Sequence, residues 1–561
     1  MNRRILLLLP LLLAAACTGA PQGPLWLASG PLEPQGEPYY EYRILNHWDN
    51  LDDSVERGYA GASIWNWTGD LPVERIHEYG RLNRSIGING SVLNNVNANP
   101  RILTPEYLKR VAQIADILRG YGIRTYLSIN FASPQALKEL PTADPLDPAV
   151  AGWWKDKVDE IYRSIPDFGG FLVKASSEGQ PGPQNFGRSH ADGANMLADA
   201  LKPHGGIVMW RAFVYSATSP DRANQAVEEF QPLDGAFRDN VIIQVKNGPV
   251  DFQPREPVSP LLFSLEKTPS MPELQITQEY LGQSLHLTFL APMWEEFFST
   301  LFSDPGGRRN RLAIAGVANT GQEESWCGHV FSQANWYAFG RLSWDPTLSS
   351  EQIADEWIRL TFPRPWWCGR KRFEREFIAP VKEMMLSSRE ACVDYEMPLG
   401  LHHLFDSTHY GPGPWEKSVR PDWEPAYYHK AGADGIGFDR TMATGSGNTA
   451  QYPEPLRSLY ENLETCPENL LLWFHHLSWD YRMSSGKTLW EELCAHYDRG
   501  VAAVQEYILT WDAVKPYVDK ERWEDVHRRL LLQEESARDW HDKCIDYFKN
   551  AYLYFSTNIS K

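Results

Sequence analysis

Eight times between residues 39 and 363 the chain repeats one cycle: a short β-prone run, a polar loop, and usually an amphipathic stretch of helical period. The runs lie at 43–46, 86–94, 123–130, 168–174, 206–213, 240–246, 273–279 and 312–319. Most are continuously apolar rather than alternating, as expected of strands covered on both faces, and helical crossovers between them make neighbouring strands parallel. Eight such units in succession predict a closed (β/α)₈ barrel over residues 39–363. One crossover helix is marked at both ends. Thr104 stands at its N-cap, Pro105 opens its first turn, Leu108, Val111, Ala115 and Leu118 share a face, and Gly120 and Gly122 follow. The crossover between Pro254 and Pro272 is less regular.

Beyond Pro363 the cycle stops, and segments of helical period at 490–511 and 521–547 predict a separate α-helical domain over residues 364–561. Within it, residues 401–448 are rich in Gly and Pro and carry Trp415, Trp423, Tyr427, Tyr428 and His429. So many aromatic side chains in a weakly helical segment predict a long loop that either reaches back over the barrel mouth or fills the seam between the domains.

The first residues set the compartment. Arg3 and Arg4 precede an apolar run at 5–13, then Ala14, Ala15, Ala16 and Cys17. This is the layout of a signal peptide over residues 1–16, too short to be a mature transmembrane helix. Small residues directly before Cys17 resemble the lipobox of bacterial lipoproteins, which implies acylation of that thiol, with residues 17–38 as a tether. The expectation is an exported protein held at a membrane only by lipid and facing the periplasm, with simple secretion as the alternative.

Charge and cysteine usage exclude other classes. With 54 Lys and Arg against 72 Asp and Glu, the net charge is −18 and no basic run stands out, so nucleic acid is not an expected partner. Cys327, Cys368, Cys392, Cys466, Cys494 and Cys544 form no CxxC pair and no metal-ligand spacing, so neither a metal site nor a cofactor is predicted. The adjacent pairs His402–His403 and His475–His476 read as packing or hydrogen-bonding residues, because sequence neighbours do not face one another on a helix. The 22 Trp and 25 Tyr mostly serve core packing, with the remainder suited to stacking on sugar rings.

In a (β/α)₈ barrel the chemistry lies at the C-terminal ends of the strands. Those ends carry Asn46, His47 and Trp48; Asn94 and Asn95; Asn130; Lys174 with Glu178 just beyond; Trp210 and Arg211; Lys246 with Asp251 beyond; Glu279; and Asn319. The carboxylates Glu178, Asp251 and Glu279 suit glycoside hydrolysis, in which one protonated group serves the leaving oxygen and an ionised one activates water or attacks carbon. The cations Lys174, Arg211 and Lys246 are expected to stand unpaired until an anionic substrate arrives, whose carboxylate would take the guanidinium fork of Arg211. A uronic acid satisfies both halves.

These residues fall within longer stretches: NHWDN at 46–50, ERGYA at 56–60, VKNGPVD at 245–251, QITQEY at 275–280, WYAFGRLSWDP at 336–346 and GIGFDRT at 435–441. From about Tyr39 to the C-terminus the chain resembles the bacterial α-glucuronidases of glycoside hydrolase family 67. That resemblance implies a (β/α)₈ barrel followed by an α-helical domain. It also implies cleavage, with inversion and without a metal, of the α-1,2 bond between (4-O-methyl)glucuronic acid and the terminal xylose of xylo-oligosaccharides, so that aldouronic acids from glucuronoxylan are the expected substrates. Glu178, in KASSEGQ, matches the family's general acid, and Asp251 and Glu279 match the carboxylates that hold and deprotonate water. Lys174, Arg211 and Lys246 match the cations around the uronate; Trp48 and Trp423 match the aromatics that sandwich the sugar. Members usually carry a β-rich domain before the barrel, where only a tether is read here, and the helical domain is often their dimer surface, which makes a homodimer plausible.

Two rival readings differ in kind. A non-catalytic glycan-capturing lipoprotein accounts for the anchor and the aromatics but has no use for an acid together with two further carboxylates. A retaining hydrolase of amino sugars keeps the barrel but leaves three cations with no charge to meet.

Overall fold

The computed structural model describes residues 34–559 apart from 35, 58, 60, 214–218, 305–311, 324 and 327. The signal peptide, Cys17, most of the tether and Cys327 lie outside the described residues. Eight parallel strands close a barrel in sequence order: β1 (Tyr42–Asn46), β2 (Gly90–Val92), β3 (Arg124–Ile129), β4 (Gly170–Val173), β5 (Ile207–Arg211), β6 (Val241–Lys246), β7 (Ser270–Gln275) and β8 (Ala313–Val317). Closure comes from β8 lying against β1 with Tyr42 opposite Ala313 and Asn46 opposite Val317. Almost every strand residue is buried, which is why the runs read as continuously apolar. Helices cross over between successive strands, among them Val73–Ser85, Pro105–Arg119, Pro148–Ser164, His190–Leu201 and Ala291–Ser303, and Ser332–Trp344 follows β8. The irregular crossover after β6 holds a single helical turn, Leu261–Ser264.

Three local expectations are corrected. The second run, expected over 86–94, is a strand only from Gly90 to Val92, because the preceding helix ends in a turn through Gly87 at φ 84° before the chain becomes extended. The seventh, expected over 273–279, begins three residues earlier and ends at Gln275, which places Glu279 in the loop beyond it. Pro272 sits inside that strand because β7 pairs with β8 only from Glu273 onward, so the missing N–H falls where no ladder is formed on that side. Thr104 does occupy the N-cap of Pro105–Arg119, but its hydroxyl donates to the Arg101 carbonyl instead of accepting from the helix.

The C-terminal part is helical. Ala379–Glu396, Leu489–Val514 and Lys520–Ile559 form its frame, the last two longer than the 490–511 and 521–547 read from sequence. Gly500 allows the first two to approach closely: a Cβ there would lie 2.5 Å from the backbone nitrogen of Tyr395. The segment after Ala379–Glu396 returns to the barrel. Asp221, beyond β5, and Arg440 form a fully buried ion pair (Nε–Oδ2 2.8 Å), and the backbone N–H of His403 donates to Gln253 beyond β6 at 2.8 Å. No described helix is long and apolar enough to cross a membrane.

Candidate active site

At the C-terminal end of the barrel a cavity of about 340 Å³ is lined by all eight side chains selected from sequence: Trp48, Lys174, Glu178, Arg211, Lys246, Asp251, Glu279 and Trp423. Phe213, two residues past Arg211, gathers the cations. Its ring centroid lies 3.5 Å from Lys246 Nζ, 5.1 Å from Arg211 Cζ and 5.3 Å from Lys174 Nζ. Cations over an aromatic face are attracted by its quadrupole, which offsets part of their mutual repulsion. Arg211 also stands 5.5 Å from the Trp48 ring, and Trp423 brings the helical domain to the same cavity with Arg420 over its ring at 5.0 Å.

The expectation of three unpaired cations is corrected. Each is matched by a carboxylate of the protein, because burying a bare charge costs several kcal/mol, on the order of the penalty per ion seen in folded proteins. Lys174 donates to Glu178 and, at 2.8 Å, to Asn97 Oδ1; Lys246 donates to Asp251. The fork of Arg211 is already taken. Glu273 in β7 accepts from its Nε at 2.8 Å and its Nη2 at 2.7 Å, with both side chains at most 2% exposed.

These contacts set the protonation states. Burial pushes the Glu178 carboxyl up, but Lys174 beside it, with Lys246, pulls it further down, so it sits below the ordinary glutamate value. Burial likewise opposes the charge on Asp251, and Lys246, Arg222 and the Tyr280 hydroxyl overcome it, holding Asp251 far below the usual carboxylate range. Glu279 follows the same pattern, with His409 and Arg57 outweighing burial and the repulsion of Asp251. For both lysines burial dominates and lowers the ammonium from its ordinary value, against the pull of the paired carboxylate.

The loops that carry the carboxylates are built for position. The partly buried Glu256 accepts backbone N–H groups from Val250, Asp251 and Gln253 at 3.0, 2.8 and 3.2 Å, which folds the Asp251 loop around one carboxylate. Gly248 is required there, since a Cβ would fall 1.8 Å from Glu256 Oε2. Tyr280 donates to Asp251 Oδ2 at 2.8 Å. Glu279 Oε1 receives Arg57 Nε at 2.5 Å and pairs with His409 Nδ1 at 2.8 Å, and Oε2 receives Gln275 Nε2 at 2.9 Å. Glu178, Arg57 and His409 themselves have φ of 47°, 58° and 61°, and left-handed residues also follow Asp251 (Phe252) and precede Glu279 (Gln278). Each such non-glycine residue costs about 1–3 kcal/mol and persists only where its surroundings enforce it, a pattern concentrated at functional sites.

Sequence reasoning missed several members of this site. Arg57 and Tyr280 lie inside the ERGYA and QITQEY stretches, yet neither had been given a role. Arg222, His403, His409 and Glu56 also line the cavity, His403 having been read only as a packing or hydrogen-bonding residue. Among the described residues no group of three or more His, Cys, Asp and Glu side chains is arranged to hold a metal ion.

Comparison with known proteins places the chain. The description "Glycosyl hydrolase family 67 middle domain" matches residues 29–326, and "Glycosyl hydrolase family 67 C-terminus" matches residues 327–555. The chain belongs to glycoside hydrolase family 67. It is 47% identical over 539 residues to "Alpha-glucuronidase A" of Emericella nidulans, covering 91% of this chain and 62% of that protein. It is 43% identical over 537 residues to "Probable alpha-glucuronidase A" of Neosartorya fischeri (91% and 62%), and 42% identical over 544 residues to that of Aspergillus clavatus (93% and 63%). It thus spans somewhat under two thirds of the length of these curated relatives. In this family 67 chain the middle-domain match contains all eight strands, while Ser332–Trp344, which packs Phe339 against Gly316 of β8, falls in the C-terminal match.

Proposed function

We propose that this chain is an inverting α-glucuronidase that hydrolyses the α-1,2 bond between (4-O-methyl)-D-glucuronic acid and the terminal xylose of xylo-oligosaccharides, with aldouronic acids from glucuronoxylan as substrates. The observation that carries the proposal is the cluster of Lys174, Arg211 and Lys246 around Phe213, in one cavity with Glu178, Asp251 and Glu279. The names of the relatives support it.

In this reading the uronate lies against the three cations, with Trp48 and Trp423 as aromatic walls. Glu178 protonates the glycosidic oxygen as the bond to xylose breaks. A water held by Asp251 and Glu279 attacks the anomeric carbon from the other face and gives up its proton to one of these carboxylates, an arrangement that inverts configuration. Proton NMR of aldotriouronic acid during turnover is expected to show β-glucuronic acid first, followed by mutarotation. An initial α anomer overturns the inverting mechanism, and no release of glucuronic acid overturns the activity.

We also propose that the chain is an exported lipoprotein anchored through Cys17 and facing the periplasm, supported by the order of charged, apolar and small residues before that cysteine. Cys17→Ser is expected to move the active enzyme from the membrane fraction to the soluble fraction, because one thiol carries the attachment and the described fold starts well after it. Unchanged membrane association refutes lipid anchoring. A homodimer through the helical domain belongs to the same reading and rests on the family resemblance.

A further inference from the structure

Of the three ion pairs made by Lys174, Arg211 and Lys246, one is built to open. Arg211 and Glu273 are locked by two parallel hydrogen bonds with both side chains at most 2% exposed. Lys246 is paired with Asp251, whose other oxygen is held by Tyr280 and whose backbone is held by Glu256. The third pair differs: Lys174 is 2% exposed, but its partner Glu178 is 37% exposed and sits on a loop at φ 47°, between Ser176 at 55° and Gly179 at 78°. The other partner of Lys174, Asn97, is braced from behind, its amide donating to Glu56 at 2.8 Å. A carboxylate arriving at Lys174 therefore displaces Glu178 more easily than Asn97.

We propose, on the basis of the α-glucuronidase reading above, that Lys174 is a substrate-operated switch. The uronate carboxylate takes the Lys174 ammonium from Glu178, and the released Glu178 takes up a proton from solvent and becomes the acid for the leaving oxygen. The charges facing Glu178 are Lys174 just past β4, Arg211 at the end of β5, and Lys246 and Asp251 from β6 and its loop; Lys174 also faces Glu56 beyond β1. Before binding, Glu178 is held below the ordinary glutamate value and is therefore ionised near neutral pH. Engaging Lys174 elsewhere removes the cation that holds it down, and an added anion nearby pushes it up, so both changes favour protonation.

The cycle balances. One proton enters from solvent onto Glu178 and leaves on the xylosyl oxygen; one proton of the attacking water is taken by Asp251 or Glu279 and returns to solvent. Lys174 stays charged throughout and re-forms its pair with Glu178 as glucuronate departs. A neutral sugar leaves the pair closed and the acid without its proton, so discrimination against glucosides acts on the chemical step as well as on binding.

Calorimetry of D-glucuronic acid binding at about pH 6, in buffers of different ionisation enthalpy, reads the switch directly. The wild-type chain is expected to take up close to one proton per bound sugar, Glu178→Gln to bind without uptake, and D-glucose to produce none. A second measurement needs no variant. Since kcat/KM reports groups of the free enzyme and kcat those of the complex, the basic limb of kcat on aldotriouronic acid is expected at higher pH than that of kcat/KM. Turnover without proton uptake, equal uptake in Glu178→Gln, or coincident basic limbs overturns the switch and leaves the α-glucuronidase reading intact. Absence of both turnover and binding in the wild type overturns that reading, and the switch with it.

Discussion

Glu178→Gln is expected to lower kcat on aldouronic acids by roughly 10²–10⁴-fold, the range contributed by a positioned general acid. The loss should shrink on an aryl glucuronide with a good leaving group, whose departing oxygen needs little protonation. The choice of variant matters because Glu178 is also the partner of Lys174. Glutamine keeps the side-chain length and an oxygen that accepts from the ammonium, so the proton donor is lost while Lys174 stays satisfied. Alanine removes both. With Lys174 only 2% exposed and burial already lowering its ammonium from the ordinary lysine value, Glu178→Ala should favour its neutral form and raise KM in addition. Steady-state kinetics of the two variants on aldotriouronic acid and on the aryl glucuronide separate these effects. Equal proportional losses on the two substrates would take the acid role away from Glu178.

The barrel was legible because its strands are buried on both faces and so stand out as apolar runs between polar loops. Where that contrast fades, the boundaries slipped. Ile86, Gly87 and Ile88 are buried, yet belong to the turn that ends a helix, and burial alone does not distinguish the two. Strand β7 starts three residues before the expected run and contains Pro272, and only the late start of pairing with β8 shows why proline is tolerated there. In the site, residues one or a few positions past a strand end were found, since strand direction fixes where they emerge. What could not be read was pairing across the barrel. Glu273 lies 62 residues from Arg211, and His409, which bonds Glu279, comes 130 residues later from the other domain. Nor does the sequence mark Glu178, Arg57 and His409 as left-handed, because none is a glycine. Those conformations are enforced by the loops around them and not by local propensity.

Arg211 tests whether this cluster is structural, substrate-reading or both. In Arg211→Met the Glu273 carboxylate keeps its place in β7, 0% exposed, without its counter-charge. Breaking a buried pair from one side typically costs about 3–5 kcal/mol, whereas replacing both partners by apolar groups of similar size is often nearly neutral. The denaturation midpoint should therefore fall sharply in Arg211→Met and recover in the double variant Arg211→Met with Glu273→Leu. Activity should not recover with it. Glu273 occupies Nε and Nη2 of the guanidinium, so the donors of Nη1 are not committed to that pair, and Arg211 lines the cavity beside Lys174 and Lys246. If those donors meet the uronate, the stable double variant should still lose about 2–4 kcal/mol of kcat/KM on aldouronic acids, the range for truncating one partner of a desolvated charge pair. Any residual hydrolysis of a neutral α-glucoside should change far less. A double variant that regains both stability and wild-type turnover would make Arg211 a support for the barrel wall and leave Lys174 and Lys246 to read the carboxylate.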